Sequence, residues 1–285
     1  MKTILVATDF SDAGHNASLY AADLARAFNA RVVLFNAIEQ APVPVSEVPV
    51  LTLQEMGIRA EQQLKDEKQL LTTGNWLPIE TVSRPGTAAQ SILQAVKEAN
   101  ADIIIAGMKN TGTAIRRFFG STVTALVNKL PVPLLIVPEG IPFIKISTIA
   151  LANESDVDPD SDPRLLDALR EIGERFHSKL YLVRVAENQL REAYGVLNRP
   201  LKINKMVRTL DPVYECIEGK NIPEALNNFI EAYNINLLAL LPHQHTLLER
   251  WFYSSVTRSM IFKSQIPLLI IPEQHKSSVI DCEPW

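Results

Sequence analysis

The sequence predicts an α/β fold built from two tandem, doubly wound domains, each with a five-stranded parallel sheet. Short, mostly apolar segments alternate with longer amphipathic ones, which is typical of parallel strands covered by helices on both faces. The same series of segments occurs twice along the chain, and such a repeat indicates a duplicated unit. The length of 285 residues also suits two domains of about 150 residues each.

The internal repeat sets the predicted domain boundaries. Lys129–Glu139 and Lys263–Glu273 both read Lys, three residues, then Pro-Leu-Leu-Ile-[Val/Ile]-Pro-Glu, at an offset of 134. Thr3–Asp9 matches Ser147–Asn153 at an offset of 144, so the second copy is shorter in its middle. We therefore predict domains at residues 1–140 and 144–273, followed by a tail at 274–285.

Five short segments of the first copy predict its strands, and we expect them to be buried on both faces of the sheet. They are Thr3–Ala7, Arg31–Ala37, Glu80–Ser83, Asp102–Ala106 and Leu134–Val137. Strands joined in βαβ order form an open sheet that binds ligands beyond the carboxyl ends, where the strand order reverses. This rule directs attention to the loops after the first and fourth strands, Thr8–Ala13 and Gly107–Gly120.

Amphipathic segments between these strands predict four helices. Ser11 or Asp12 can cap the first helix, which runs to about Asn29. The other three are predicted over Thr52–Thr73, Thr87–Ala99 and Ser121–Leu130. Between the second strand and the second helix, Glu39–Pro49 is predicted as a loop because its three prolines interrupt any helix.

Composition excludes several classes of protein. With 28 basic and 32 acidic residues, the net charge of −4 argues against non-specific binding to nucleic acid or to anionic membranes. The two cysteines, Cys216 and Cys282, are too few for a disulfide framework and fit a reducing cytosol. Cys216 lies in a predicted strand, Val213–Ile217, where we expect it as a small core side chain. Since no apolar run approaches the length of a membrane span, we expect a cytoplasmic protein.

The two loops beyond the predicted sheet offer a carboxylate and a glycine-rich segment. Asp9 ends the first strand, where it can accept hydrogen bonds from a ribose hydroxyl or a base amino group, or can cap the next helix. Gly107, Gly112 and Gly120 lie in the other loop, and Gly120–Thr124 opens a helix. Free amides and hydroxyls there suit a phosphate chain, although a capped helix after a flexible surface loop is the more common explanation of such a segment taken alone.

These residues together resemble the universal stress protein family, in which a strand-end Asp and a G-x-x-G-x9-G-[ST] motif bind ATP. Gly107 and Gly120 keep the family's spacing of 13, while Asn110 stands at the middle glycine. The resemblance implies a Rossmann-like domain of the adenine nucleotide alpha hydrolase type that binds ATP, and it leaves open whether Mg²⁺ accompanies the nucleotide. By this resemblance Asp9 holds the ribose, with Ala7, Thr8 and Ala37 near the adenine. The residues implied along the triphosphate are Gly107, Met108, Asn110, Gly120, Ser121, Thr122 and Val123.

The second copy departs from this motif. Asn153 replaces the Asp, Leu241 takes the first glycine position, and Ser254-Ser255 replaces Gly-Ser, so we expect it to keep the fold without binding ATP. The resemblance implies that the two domains pair as a pseudo-dimer through their fifth strands, with edges at Pro133–Val137 and Pro267–Ile271. Whether two chains associate further stays open.

Three hypotheses for function follow. The first is a stress-response regulator that binds ATP in its N-terminal domain, with the C-terminal domain as a structural partner. The second is a nucleotide-free scaffold, in which Asn110 marks the loss of ATP binding. The third is a slow ATPase, which is less favoured because the sequence suggests no catalytic residue. His243 and His245 have no further ligands nearby in sequence, so we expect no metal site.

Overall fold

The computed structural model describes residues 1–39, 52–74, 76–109, 126, 129–152, 162, 164–186, 201–241 and 266–272. Its first half contains five strands: β1 (Thr3–Ala7), β2 (Arg31–Ile38), β3 (Ile79–Pro85), β4 (Ile103–Met108) and β5 (Leu134–Pro138). Three helices are described beside them: α1 (Asp12–Phe28), α2 (Leu53–Thr72) and α3 (Ala88–Ala99). The predicted loop at Glu39–Pro49, beyond Glu39 itself, and nearly all of the predicted helix at Ser121–Leu130 lie outside the described residues.

The second half repeats this arrangement with shorter elements. Its strands are β6 (Thr148–Ala152), β7 (Lys179–Ala186), β8 (Val213–Glu218), β9 (Leu237–Leu240) and β10 (Leu268–Ile270). Its described helices are α4 (Asp167–Phe176), α5 (Leu201–Met206) and α6 (Ile222–Ala232), with a short 3₁₀ helix at Arg208–Leu210. The shortening that the repeat predicts lies between β7 and β8, because β8 begins 34 residues after the start of β7, whereas β3 begins 48 residues after the start of β2.

All ten strands form one sheet in the order β3-β2-β1-β4-β5-β10-β9-β6-β7-β8. Neighbouring strands are parallel within each half, and β5 pairs with β10 in the antiparallel sense, Leu135 opposite Leu269. The order 3-2-1-4-5 in the first half, and its equivalent in the second, is that of a doubly wound sheet. The predicted fold class is therefore confirmed, and the strand order reverses between β1 and β4.

Local signals explain where the helices of the first half begin. The Ser11 hydroxyl accepts a hydrogen bond from the Gly14 amide at 3.2 Å, so Ser11 caps α1 as one of the two predicted choices. Thr52 and Glu55 form a capping box at the start of α2, in which each side chain bonds the other residue's backbone amide. These hydrogen bonds lower the pKa of Glu55.

In both halves, one polar side chain clamps the amino ends of two neighbouring strands together. The Asp102 carboxylate accepts a hydrogen bond from the Thr3 amide at 2.9 Å, which fixes the start of β1 against the start of β4. The Asn236 side-chain oxygen accepts one from the Ser147 amide at 2.9 Å, just before β6. Because Asp102 and Asn236 are 134 positions apart, the two clamps lie at equivalent positions of the sequence repeat.

Apolar side chains form two core layers, one on each face of the sheet, and both layers extend through the two halves. The layer under α1 and α2 includes Leu34 and Leu64, and the layer under α3 includes Phe35 and Ile92. Successive residues of β2 therefore point to opposite layers, as expected of a strand. At the junction of the halves, the Asn16 amide of α1 donates to the carbonyls of Pro138 and Ile141.

Two details differ from the sequence predictions. Cys216 lies in β8 as expected, but it is exposed, so the prediction of a core side chain is wrong. β8 is the last strand of the sheet and has a neighbouring strand on one side only. Strand β3 is longer than predicted and includes Pro85, which is tolerated because β3 is the other edge strand. Among the described residues, no helix is long and apolar enough to cross a bilayer.

Candidate functional site

A cavity of about 540 Å³ opens at the carboxyl ends of β1, β2 and β4, and it adjoins the reversal of strand order. Its size is within the usual range of about 300–1,000 Å³ for small-molecule sites. Its walls come from the ends of these three strands, the first turn of α1, one face of α2 and the start of α3. The lining residues are Ala7, Thr8, Asp9, Phe10, Gly14, Phe35, Asn36, Ala37, Ile38, Glu39, Met56, Arg59, Ala60, Gln63, Ala88, Ile92, Ile104, Ala106, Gly107, Leu126 and Leu134.

The loop between β1 and α1 is held by its own side chains. Asp9 Oδ1 accepts hydrogen bonds from the Ser11 amide at 3.0 Å and from the Ser11 hydroxyl at 2.5 Å. The Thr8 hydroxyl accepts one from the Phe10 amide at 3.1 Å. Phe10 adopts a φ of 60°, which is unusual for a bulky side chain and is maintained here by these bonds.

Asp9 serves the helix cap and also faces the cavity. Ser11, and not Asp9, caps α1, but Asp9 Oδ1 holds Ser11 in place. Its second oxygen, Oδ2, has no hydrogen bond to any described residue, and the exposed carboxylate lines the cavity. The two interpretations of Asp9 are therefore compatible, since one oxygen supports the cap while the other can accept a hydrogen bond from a ligand.

Asn36 contributes a second polar group at the end of β2. It is only 8% exposed, and its Nδ2 donates to the Thr8 carbonyl at 2.8 Å. This hydrogen bond ties the end of β2 to the loop after β1, beside the backbone bond from the Thr8 amide to the Phe35 carbonyl at 2.9 Å. Asn36 thus positions Thr8, and it lines the same cavity.

Helix α2 forms a wall above the end of β2. Met56, Arg59, Ala60 and Gln63 line the cavity, and their spacing of three, four and seven residues places them on one face of the helix. His15 Nδ1 lies 2.9 Å from Glu67 Oε1, which ties the first turn of α1 to α2. The wall is therefore anchored to the same helix terminus that carries the Asp9 loop.

Two glycines let α1 approach the strand ends closely. A Cβ atom on Gly107 would lie 2.1 Å from the Ala13 carbonyl oxygen and 2.8 Å from the Gly14 nitrogen. A Cβ atom on Gly14 would lie 2.9 Å from both Asp9 Oδ1 and Thr8 Oγ1. Gly107 is thus required by packing of α1 against β4, which is a role that its place in a phosphate motif does not suggest.

Glu39 closes the cavity beside α3. Its carboxylate accepts a hydrogen bond from the Ala88 amide at 2.5 Å, at the start of a helix whose N-cap, Thr87, makes no side-chain capping bond. A carboxylate at a helix N-terminus satisfies a free amide and complements the helix dipole. Glu39 therefore substitutes for a conventional cap and brings a second carboxylate to the cavity.

The structure brings five of the eleven predicted ligand residues to the cavity: Ala7, Thr8, Asp9, Ala37 and Gly107. Met108 follows Gly107, but it is 6% exposed and packs in the core layer under α3 and is not among the lining residues. The remaining predicted residues lie outside the described part of the chain: Asn110, Gly120, Ser121, Thr122 and Val123.

Ala37 of β2 was identified from the sequence, but Asn36 beside it and the contribution of α2 were missed. Asn36 had a detectable signal, because it is the one uncharged polar residue in the strand RVVLFNAI. Arg59 and Gln63 had none, since many residues of α2 are polar and only the fold shows which of them face the cavity. No group of three or more His, Cys, Asp or Glu that could hold a metal occurs within the described ranges, and His243 and His245 lie outside them.

Comparison with known proteins identifies the family. The model of the universal stress protein family matches residues 1–138. A universal stress protein from Thermus aquaticus is 31% identical over 137 residues, which cover 48% of this chain and 98% of that protein. The chain belongs to the universal stress protein family. Universal stress protein Sll1654 from Synechocystis is 26% identical over 140 residues, covering 48% of this chain and 85% of that protein.

Solved structures extend the likeness of this universal stress protein to both halves of the chain. A universal stress protein from Archaeoglobus fulgidus superposes with a TM-score of 0.67 at 15% identity, covering 95% of this chain and 96% of that one. A protein of unknown function from Pseudomonas aeruginosa PAO1 gives a TM-score of 0.60 at 12% identity, covering 96% and 93%. At these identities the likeness establishes the fold.

Proposed function

We propose that this universal stress protein is a cytoplasmic stress-response regulator that binds ATP in its N-terminal half. The observation that carries the proposal is the cavity at the reversal of strand order, where Asp9 presents an oxygen with no described partner. In doubly wound sheets this position is the usual ligand site. Its volume of about 540 Å³ fits a nucleotide-sized molecule.

The order of the strands supports an extended ligand. Asp9 follows β1, Ala37 lies near the end of β2, and Gly107 lies near the end of β4, with β1 between the other two. Strands are about 4.8 Å apart, so these three positions span about 10 Å along the edge of the sheet. A nucleotide presents base, ribose and phosphates in series, which matches β2, β1 and β4 in turn.

The second half is proposed as a structural partner that does not bind ATP. Leu241, at the position equivalent to Gly107, is 3% exposed and belongs to the core. The connection from β7 to β8 is also shorter than the one from β2 to β3, which contains the helix that supplies one wall of the cavity in the first half. The pairing of β5 with β10 supports an intramolecular pseudo-dimer, since it covers a strand edge that each half would otherwise expose.

ATP is expected to raise the melting temperature of the protein. At a concentration a hundred times its Kd, a ligand stabilises the folded state by about 2.7 kcal/mol, which corresponds to a shift of roughly 4–5 °C for a chain of this size. Asp9→Asn keeps an oxygen for Ser11 and removes the charge, so we expect it to weaken ATP binding about tenfold to a hundredfold. Titration calorimetry gives the two affinities directly.

Asp12→Asn is the matched control for this substitution. Asp12 is an exposed residue of the first turn of α1 and does not line the cavity, so its loss should leave ATP affinity within about twofold. Absence of any thermal shift at millimolar ATP would contradict the proposal. Equal weakening by Asp9→Asn and Asp12→Asn would show that Asp9 acts only through the general charge of the region.

A nucleotide-free scaffold is the second candidate, and the packing of Gly107 favours it. Because the close packing of α1 against β4 requires a glycine at position 107, the presence of Gly107 does not by itself indicate a phosphate site. Asn110→Gly separates the two functions, since it restores the glycine of the family motif. We expect a change of less than about tenfold in ATP affinity, measured by calorimetry at one salt concentration; a larger gain would indicate that the natural site is impaired and would support the scaffold.

A further inference from the structure

Asn36 carries an acceptor that the fold leaves unused. Its Nδ2 donates to the Thr8 carbonyl at 2.8 Å, and because a carbonyl can only accept, this bond identifies which end of the amide is nitrogen. The other atom, Oδ1, has no hydrogen-bond partner among the described residues. Oδ1 is also not among the fully buried side-chain atoms that lack a hydrogen-bond partner, although Asn36 as a whole is more than nine-tenths buried.

The environment of Asn36 directs this acceptor to the cavity. Asn36 lines the cavity, and it alternates along β2 with Phe35, which packs under α3. It therefore lies on the other face, beneath the α2 wall that carries Arg59 and Gln63. Buried acceptors are nearly always paired, so an open one, fixed in direction and facing a ligand-sized space, indicates a donor supplied by the ligand.

The position of Asn36 corresponds to the base of the proposed nucleotide. β2 lies on the opposite side of β1 from β4, so a ribose at Asp9 and phosphates toward Gly107 leave β2 for the base. The guanidinium of Arg59 can stack on a planar ring. Asn36 Oδ1 is within reach of a purine at this place, and the strand holds it rigidly. A rigidly held acceptor discriminates between donors and acceptors on the edge of the base.

We propose that Asn36 is a specificity-determining residue, whose Oδ1 accepts a hydrogen bond from the exocyclic amine of a 6-aminopurine. A 6-oxopurine would place its own acceptor against Oδ1 and leave both oxygens without a donor. The inference rests on the proposed nucleotide site and adds the residue that selects the base. It predicts that adenine nucleotides bind in preference to hypoxanthine or guanine nucleotides.

The test compares ATP with inosine triphosphate, which carries oxygen at position 6 and the same ribose and phosphates. Calorimetric titration of the wild-type chain should give at least a tenfold tighter Kd for ATP. In Asn36→Ala, the ratio of the two affinities should fall to within about twofold of one, mostly through weaker ATP binding. A purely structural role, through the bond to Thr8, would weaken both nucleotides equally and leave the ratio unchanged.

Asn16→Ala provides the matched control. Asn16 also donates its amide to backbone carbonyls, but it does not line the cavity, so its loss should leave the ratio as in the wild type. Equal binding of the two nucleotides to the wild type overturns the inference, while the nucleotide site itself stands. Binding of neither nucleotide overturns the proposed function and, with it, the role of Asn36.

Discussion

Gly107→Ala is expected to destabilise the fold by about 3 kcal/mol, whether or not a nucleotide is present. The new Cβ atom would lie 2.1 Å from the Ala13 carbonyl oxygen and 2.4 Å from its carbon. These are backbone atoms of the first turn of α1, so they cannot turn aside as a flexible side chain can. Overpacking of a well-packed interior costs about 1–3 kcal/mol and sometimes more, and a contact this short against backbone belongs at the upper end. Urea denaturation followed by circular dichroism measures the loss.

Gly57→Ala is the matched control with the opposite sign. Gly57 lies within α2, and among the described residues a Cβ atom there would meet only Ile38 Cδ1, at 3.9 Å. Alanine in a helix interior is favoured over glycine by about 0.5–1 kcal/mol, so this variant should gain stability. If Gly107→Ala unfolds at the wild-type urea concentration and only ATP binding changes, then α1 does not pack against β4 as described.

This result bears on how a glycine motif is interpreted. Glycines in a loop after a strand suggest close approach of an anion, and the family resemblance assigns Gly107 to the triphosphate. The structure gives Gly107 a packing contact with α1 as well. A loss of ATP binding in Gly107→Ala would therefore follow from displacement of α1 and the Asp9 loop, and it would not by itself indicate a phosphate contact.

The sequence predicted most of the fold because its signals are local. β1 has the predicted bounds of Thr3–Ala7, since an unbroken apolar run between polar residues leaves little choice of register. α1 begins after Ser11 and α2 after Thr52, because capping residues act within one turn of themselves. β3 was predicted too short, since the mixed segment Ile79–Pro85 is an edge strand whose polar residues resemble those of a loop.

The candidate site could be predicted only in part, because convergence of side chains depends on the whole topology. The rule for doubly wound sheets directed attention to the ends of the first and fourth strands, where Asp9 and Gly107 lie. Asn36 and Arg59 come from the end of β2 and from a helix that follows a long connection, and no spacing in the sequence links them. Cys216 was misjudged because strand patterning does not show that β8 is an edge, where a side chain can be exposed.

Leu269→Asp is expected to cause the largest loss of stability, more than about 4 kcal/mol. Leu269 in β10 lies opposite Leu135 in β5, and both side chains are fully buried. A carboxylate there would lose its hydration with no described cation beside it, and burial of an unpaired charge is among the few causes of such large effects. Thermal and urea denaturation of the purified variant measure the change.

Two control variants separate burial at the junction from the chemistry of the substitution. Leu70→Asp introduces the same side chain in the last turn of α2, at a position that is 60% exposed, and we expect a loss of no more than about 1.5 kcal/mol from helix propensity and the helix dipole. Leu269→Ile keeps the volume and should cost less than about 1.5 kcal/mol. Near-wild-type stability of Leu269→Asp would contradict the pairing of β5 with β10.

The junction variant also tests whether the two halves depend on each other. Leu135 and Leu269 belong to a core layer that continues through both halves, so separating β10 from β5 would uncover apolar surface on each side. It would also leave the edge of β5 unpaired, and exposed apolar edges promote association between chains. We therefore expect Leu269→Asp to weaken ATP binding, although Leu269 does not line the cavity, because Leu134 of β5 lines it. Unchanged ATP affinity in a destabilised variant would show that the N-terminal half holds its site without its partner.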